Sequence, residues 1–328
     1  MRTGFGTLLL AVVSLVGAIS TTSAGAAGAP RQPQRAVWVW NNWVASDPER
    51  RDDLIAFCRQ RGINVLFLHV LPEELSVRSA DFRAFLTQAH EQGFKVQALA
   101  GAPEWVFADK RERLSGFLAA VLKFNQEGPA EARFEGIHLD VEPYDTAEWK
   151  AGPAAVGKQY LEMLEFTRAR IGALPLAADV PPWYSTVEMD ATAGRSLLAA
   201  VVERVDQIGL MAYARQVRDI GGSSRYALEA ARRQGKGVWV GMSAQLYDSD
   251  MKRDQPLRAQ VENVVKSIEK RLKSAPGLLG IAIHDYEHYR PLYPAGAARA
   301  KAKSKTPGAA STPAAAAGSA AATSGNLQ

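Results

Sequence analysis

Eight short apolar or alternating runs recur along the middle of the chain, and most gaps between them have helical character. The runs cover 36–40, 64–69, 95–100, 137–142, 174–180, 207–213, 237–243 and 279–285. Apolar residues with helical spacing fill segments 48–62, 79–93, 110–124, 156–172 and 260–274. Glycines that suit helix C-termini stand at Gly62, Gly93, Gly172 and Gly235.

This order of elements predicts the fold class. Eight strands alternating with helices over about 260 residues are typical of a closed (β/α)8 barrel. A doubly wound open sheet is the alternative, but no glycine-rich turn follows the first strand to form a dinucleotide site. The sequence therefore predicts an α/β protein, a single-domain TIM barrel over residues 30–294.

The first 29 residues show the features of a secretory signal in their usual order. One arginine is followed by an apolar run from Leu8 to Ile19 and then by small residues. The run is too short for a comfortable membrane span, although an uncleaved anchor is the alternative. We expect a signal peptide at 1–29, a secreted or periplasmic protein, and no stable membrane insertion after cleavage.

The far end, residues 295–328, is rich in alanine, lysine and proline and has almost no large apolar residue, which predicts a disordered tail. The whole chain carries a formal charge of +5, but the cations that make this excess lie in the signal segment and the tail. The body between them is formally neutral, which argues against nucleic acid as a partner. With one cysteine, Cys58, no internal disulfide is possible. No feature indicates an oligomeric state.

The segment GIHLDVEPY, at 136–144, alternates three ionisable residues with aliphatic ones. His138, Asp140 and Glu142 share one face of the predicted strand, with Cα atoms of alternate residues ~6.5–7 Å apart. Burial and a neighbouring negative charge both raise the pKa of a carboxyl group, as a general acid at neutral pH requires. Glu142 is the candidate acid, and Asp140 is its support.

Polar and aromatic residues gather where the other strands end, which is where a barrel carries its active site. Flat rings can stack on sugar faces while polar neighbours bind hydroxyl groups, so we expect a carbohydrate partner. For each loop tryptophan, simple packing is the alternative. With His138, the predicted substrate-binding residues are Trp40, Asn41, His69, Glu104, Trp105, Tyr144, Asp179, Trp183, Gln245, His284 and Asp285.

The segment FEGIHLDVEPY resembles the fourth-strand signature of family 18 glycoside hydrolases, the chitinases and their relatives, in which Asp-Gly-x-Asp-x-Asp-x-Glu is typical. The resemblance implies that Glu142 is the general acid and that Asp140 orients a substrate N-acetyl group. The segment LMAYA resembles that family's Met-x-Tyr, which implies that Tyr213 helps to hold the acetamido group. Among the departures from the family, His138 stands where the innermost aspartate usually lies, and His284 stands on the eighth strand where a tryptophan is usual.

Two mechanisms are open for an active glycosidase. The substrate's own acetamido oxygen attacks in one, so that no protein nucleophile is needed. The other needs a second carboxylate, which Asp179, Asp285 or Glu104 could supply. A non-catalytic glycan-binding relative is the alternative to both.

A metal-dependent hydrolase is a further alternative. His69, His138, His284 and Asp140 are of the residue types that bind zinc. However, no His-x-His pair follows the first strand. We therefore expect neither a metal ion nor another cofactor.

Overall fold

Eight parallel strands close into a barrel in the computed structural model, which describes residues 34–190, 194–248 and 257–293. Each strand pairs with its neighbours in sequence, and the last pairs with the first. The barrel strands are β1 Gln34–Val39, β2 Val65–His69, β3 Lys95–Ala100, β4 Ile137–Leu139, β5 Leu176–Val180, β6 Gln207–Leu210, β7 Gly237–Ser243 and β8 Leu278–His284. The predicted TIM barrel is confirmed. The predicted signal segment 1–29 and tail 295–328 lie outside the described residues.

Helices lie between the strands, and all five predicted helical segments are confirmed. The α-helices are α1 Pro48–Gln60, α2 Pro72–Val77, α3 Ser79–Glu91, α4 Glu112–Glu127, α5 Ala147–Ala151, α6 Pro153–Ile171, α7 Leu197–Arg204, α8 Val217–Gln234, α9 Gln245–Asp248, α10 Leu257–Leu272 and α11 Tyr286–Tyr289. Short 3-10 helices cover Asn42–Ala45, Pro103–Val106, Ala108–Lys110, Ala130–Ala132, Pro143–Asp145, Pro182–Thr186 and Arg290–Leu292. A small antiparallel sheet pairs Glu188–Asp190 with Arg195–Ser196.

Local sequence explains how the helices begin and end. The Asp47 side chain accepts hydrogen bonds from the backbone N–H groups of Glu49 and Arg50 and so caps the start of α1, with a proline at its first position. Gly62 and Gly235 follow α1 and α8 with φ angles of 67° and 65°. Positive φ is strained for other residues, so these glycines end their helices as predicted.

Apolar side chains form two layers, one inside the barrel and one between the barrel and the helices. Along β1, Trp38 faces the interior, whereas Val37 and Val39 pack in the outer layer. The inner layer also holds Phe67 and Trp239. Bulky rings fill the barrel below its mouth, so the interior is a packed floor rather than a pore. Among the described residues, no helix is long and apolar enough to cross a membrane.

Two strands end three residues earlier than the apolar pattern predicts. β4 stops at Leu139, and β6 stops at Leu210. The backbone N–H of Asp140 still donates to the carbonyl of Ala100 at 3.0 Å, but Pro143 has no N–H group and begins a 3-10 helix. Asp140 and Glu142 therefore lie just past the strand, in the loop at the barrel mouth.

Candidate active site

Glu142 lies half-buried in the loop that follows β4. Its Oε1 accepts a hydrogen bond from the hydroxyl of Tyr144. Burial raises the pKa of Glu142, the Tyr144 hydrogen bond opposes this, and the charges of Asp145 and Asp179 raise it further. The carboxyl group is therefore placed to hold a proton closer to neutral pH than an exposed glutamate would.

Asp140 stands beside Glu142 with one oxygen turned inward. Its Oδ1 is buried without a hydrogen-bond partner in the described part of the chain. Burial raises the pKa of Asp140 well above its ordinary value, and the charges of Asp179 and Glu142 add to the effect. Two neighbouring carboxyl groups with raised pKa values make a site suited to acid–base chemistry.

A hydrogen-bonded floor lies beneath these two carboxyl groups. His138 is 0% exposed and Asp179 is 2% exposed, with Nε2 of the histidine 2.9 Å from Oδ1 of the aspartate. The indole Nε1–H of Trp38 donates to Oδ2 of Asp179 at 2.9 Å. The prediction that His138 and Asp179 bind substrate directly is corrected, because both are sealed inside the barrel and support the mouth from below.

At the end of β8, His284 faces Trp40. The indole Nε1–H of Trp40 donates to Nε2 of His284 across 3.4 Å, and burial lowers the pKa of this histidine. A neutral imidazole with its proton on Nδ1 fits both facts. Asp285 is 4% exposed and caps α11 by accepting from the backbone N–H of His288, so its predicted substrate contact is corrected to a structural role.

Tyr213 and His69 extend the same wall of the mouth. The Tyr213 ring lies 5.3 Å from the ring of His284, and the His69 ring lies 5.7 Å from that of Trp40. Burial raises the pKa of Tyr213, and the charges of nearby carboxylates add to it, Asp179 the most. Burial also lowers the pKa of His69, so both side chains face the mouth in their neutral forms.

An aromatic cluster stands beside Glu142. Trp183 is 42% exposed and meets the ring of Tyr144 edge-on at 5.3 Å. Trp149 and Tyr184 stack behind it with ring centroids 5.6 Å apart, and both are buried. One open indole on a rigid aromatic support is a surface on which a sugar ring can stack.

The remaining predicted residues are placed less centrally. Trp105 is only 6% exposed and packs against Phe117, which favours the packing alternative; its substrate-binding role stays a prediction. The backbone N–H of Asn41 donates to Glu287 at 2.9 Å. Glu104 lies half-buried in the 3-10 helix after β3, and Gln245 is exposed at the start of α9.

Solved structures with the same fold include two chitinases. The chitinase from Bacteroides thetaiotaomicron matches at a TM-score of 0.51 and 12% identity over 79% of this chain and 91% of that chain. The family 18 chitinase from Pseudoalteromonas aurantia matches at 0.50 and 15% identity over 83% and 99%. The exo-β-1,4-mannosidase Op5Man5 from Opitutaceae bacterium strain TAV5 matches at 0.54 and 11%, but over 78% of this chain and only 52% of its own.

These similarities show the barrel fold and nothing about the chemistry of the site, because so few residues are identical. No family model matches the sequence, and no curated protein matches it. The predicted resemblance to chitinases is confirmed for the architecture. The residues at the mouth must therefore carry any argument about chemistry.

Sequence reasoning missed four members of the floor, of which Trp38 is one. The amide oxygen of Gln97 on β3 accepts from His138 Nδ1 at 2.9 Å, and the Gln97 amide nitrogen donates to Gln207 on β6 at 3.1 Å. The indole of Trp239 also donates to Gln207, at 3.0 Å. A signal was present, since each glutamine is a lone uncharged polar residue in an otherwise apolar run.

The histidines and carboxylates do not assemble into a metal-binding set within 34–190, 194–248 and 257–293. His138 is held by Gln97 and Asp179, and His284 is held by Trp40. Both of these histidines thus contact other groups of the protein.

We expect Tyr144→Phe to raise the pKa of Glu142. The lost hydrogen bond stabilises the carboxylate form, so without it the proton is held to higher pH. The alkaline limb of any Glu142-dependent kcat/KM profile should move upward by up to about one pH unit. Tyr286→Phe, which removes a hydroxyl donor to Asp53 on α1, is the control and should leave the profile unchanged. A downward shift in Tyr144→Phe would contradict the assignment.

Proposed function

We propose that the protein is a secreted glycoside hydrolase that cleaves an oligosaccharide or polysaccharide with Glu142 as general acid. The observation that carries this proposal is the half-buried Glu142 carboxyl group at the mouth of the barrel, beside Asp140 and with a raised pKa. An acid whose pKa is raised keeps its proton to higher pH than an exposed glutamate and can donate it to the leaving oxygen of a glycosidic bond. The barrel's likeness to solved chitinases supports this reaction class.

The preferred substrate in this proposal carries an acetamido group. Asp179 and Asp285, two of the candidate second carboxylates, are nearly fully buried, which supports a mechanism without a protein nucleophile. The acetamido oxygen attacks the anomeric carbon while Glu142 gives its proton to the departing oxygen. Glu142 then takes a proton from the water that opens the cyclic intermediate. Asp140 and Tyr213 orient the acetamido group in this scheme.

The test is hydrolysis of matched oligosaccharides by the secreted protein. N-acetylglucosamine oligomers, their deacetylated counterparts and mannose oligomers are incubated separately, and products are identified by mass spectrometry. We expect cleavage of the acetylated oligomers alone, with equal rates in the presence of a chelator. Tight binding without cleavage would instead identify a glycan-binding protein, and loss of activity to the chelator would identify a metal-dependent hydrolase.

A further inference from the structure

A glutamate on α11 joins the ends of the first and last strands of the barrel. Pairing between β1 and β8 runs as far as Val37 and Ile283. Beyond it, the backbone N–H groups of Trp40 and Asn41 both donate to Oε1 of Glu287, at 3.1 and 2.9 Å. The Glu287 side chain therefore continues the contact between the two strands into the loop at the mouth.

Helix α11 gives this glutamate a firm support. Oδ1 of Asp285 accepts a hydrogen bond from the backbone N–H of His288 and so caps the start of the helix. At the other end, Tyr289 is 0% exposed, and its ring meets Phe57 on α1 edge-on with centroids 5.3 Å apart. Because α11 is fastened at both ends, Glu287 can hold the loop after β1 in place.

Trp40, one of the two residues held, is part of a row of four rings along one wall of the mouth. Its ring lies 5.7 Å from that of His69, and its indole N–H donates to His284 across 3.4 Å. The ring of His284 in turn lies 5.3 Å from that of Tyr213. Trp40 is half-buried, so part of its indole stays accessible to a sugar ring that stacks on it.

The contact with Glu287 bears on the backbone of Trp40 itself. A second tie lies one residue further on, where the amide of Asn42 donates to the carboxylate of Glu74 on α2. Oε2 of Glu287 is buried without a hydrogen-bond partner among the described residues, so Oε1 alone accepts from the loop. Oε1 can accept whether or not the carboxyl group carries a proton on Oε2, so this contact does not depend on the charge of Glu287.

We propose that Glu287 is a positioning residue that fixes Trp40 as a wall of the substrate site. This inference rests on the proposed function and on the predicted contact between Trp40 and a sugar ring. Glu287 acts through the backbone of the loop after β1, so it needs no contact with the substrate. An indole that is fixed before binding loses less conformational freedom when a sugar stacks on it, which increases affinity.

The first test compares variants of Glu287 in hydrolysis of an N-acetylglucosamine oligomer. Glu287→Met keeps the length of the side chain without an oxygen acceptor, so we expect KM to rise about tenfold while kcat changes less than about twofold. Glu287→Gln keeps an amide oxygen and should restore the wild-type KM. Glu91→Met, at the exposed end of α3, is the control and should leave KM unchanged. An unchanged KM in Glu287→Met, or an equal rise in Glu287→Gln, would overturn the proposal.

A double-mutant cycle tests whether Glu287 acts through Trp40. Trp40→Ala should raise KM by itself. Adding Glu287→Met should then raise KM little further, because the side chain that Glu287 positions is already gone. Two losses that add in full would contradict the proposal, since Glu287 would then serve binding by a route that does not pass through Trp40.

Amide hydrogen exchange of the intact protein gives a readout that needs no carbohydrate. The N–H groups of Trp40 and Asn41 should exchange at least about tenfold faster in Glu287→Met than in wild type or Glu287→Gln, while the amides of α11 keep their rates. Equal rates at Trp40 and Asn41 in all three proteins would overturn the proposal. Faster exchange in a protein that cleaves no oligosaccharide would confirm the contact and count against the proposed function alone.

Discussion

Glu142→Gln should abolish most hydrolysis while the barrel stays folded. Removing a general acid typically costs about 10²–10⁴-fold in rate, and glutamine keeps nearly the same shape without a proton to donate. The loss should appear in kcat, measured on an acetylated oligosaccharide. Glu148→Gln is the matched control, because it makes the same change at an exposed position on α5 and should leave kcat unchanged.

The leaving group gives this prediction a sharper form. A sugar linked to an acidic phenol leaves without a proton, so Glu142→Gln should lose far less activity on such a substrate than on an oligosaccharide. Equal losses on both substrates would mean that Glu142 does something other than donate a proton. A variant as active as wild type on oligosaccharides would remove it from the mechanism.

Folding stability should respond to Glu142→Gln in a direction that the pKa shift sets. Burial raises the pKa of Glu142 in the folded protein, so ionising it costs stability once pH rises above the unfolded value of about 4.3. The glutamine variant avoids that cost. Its Tm should equal or exceed that of wild type at neutral pH, and the difference should vanish below about pH 4. The buried acid thus lowers folding stability at neutral pH.

The periodicity of apolar residues was sufficient to predict the barrel because strands buried on both faces leave a strong local pattern. It was less accurate at strand ends. Residues 137–142 alternate without interruption, yet β4 stops at Leu139 because Pro143 begins a 3-10 helix. Helices α5, α9 and α11 span four or five residues, too few to show a helical period.

The sequence predicted the candidate site where a charged residue interrupts an apolar strand. It could not predict how deeply each side chain is buried. Asp140 and Glu142 were found because their positions alternate with aliphatic residues. Asp179 and Asp285 follow the same rule, but both are buried, and depth depends on contacts from distant strands. Trp38 shows the limit, since it looks like an ordinary core residue until the fold brings its indole to Asp179.

Gly101→Ala should cause the largest loss of stability among the single changes considered. Gly101 follows β3, and a Cβ built there would lie 1.7 Å from the backbone oxygen of Asp140 and 2.3 Å from its carbonyl carbon. Both atoms belong to the backbone, so no rotamer change relieves the clash, and β4 must move. Overpacking of this kind costs about 1–3 kcal/mol or more, which at this size lowers Tm by about 2–4 °C for each kcal/mol.

The same change should impair hydrolysis, because the displaced peptide carries Asp140 and leads directly to Glu142. Gly116→Ala is the matched control, since it lies inside α4 and its Cβ would meet nothing within 4 Å. Alanine there should raise stability by about 0.5–1 kcal/mol and leave activity unchanged. Thermal unfolding and kcat on one acetylated substrate compare the two variants. If Gly101→Ala kept both its Tm and its kcat, the close approach of β3 to the Asp140 peptide would be wrong, and with it the mouth on which the proposed chemistry depends.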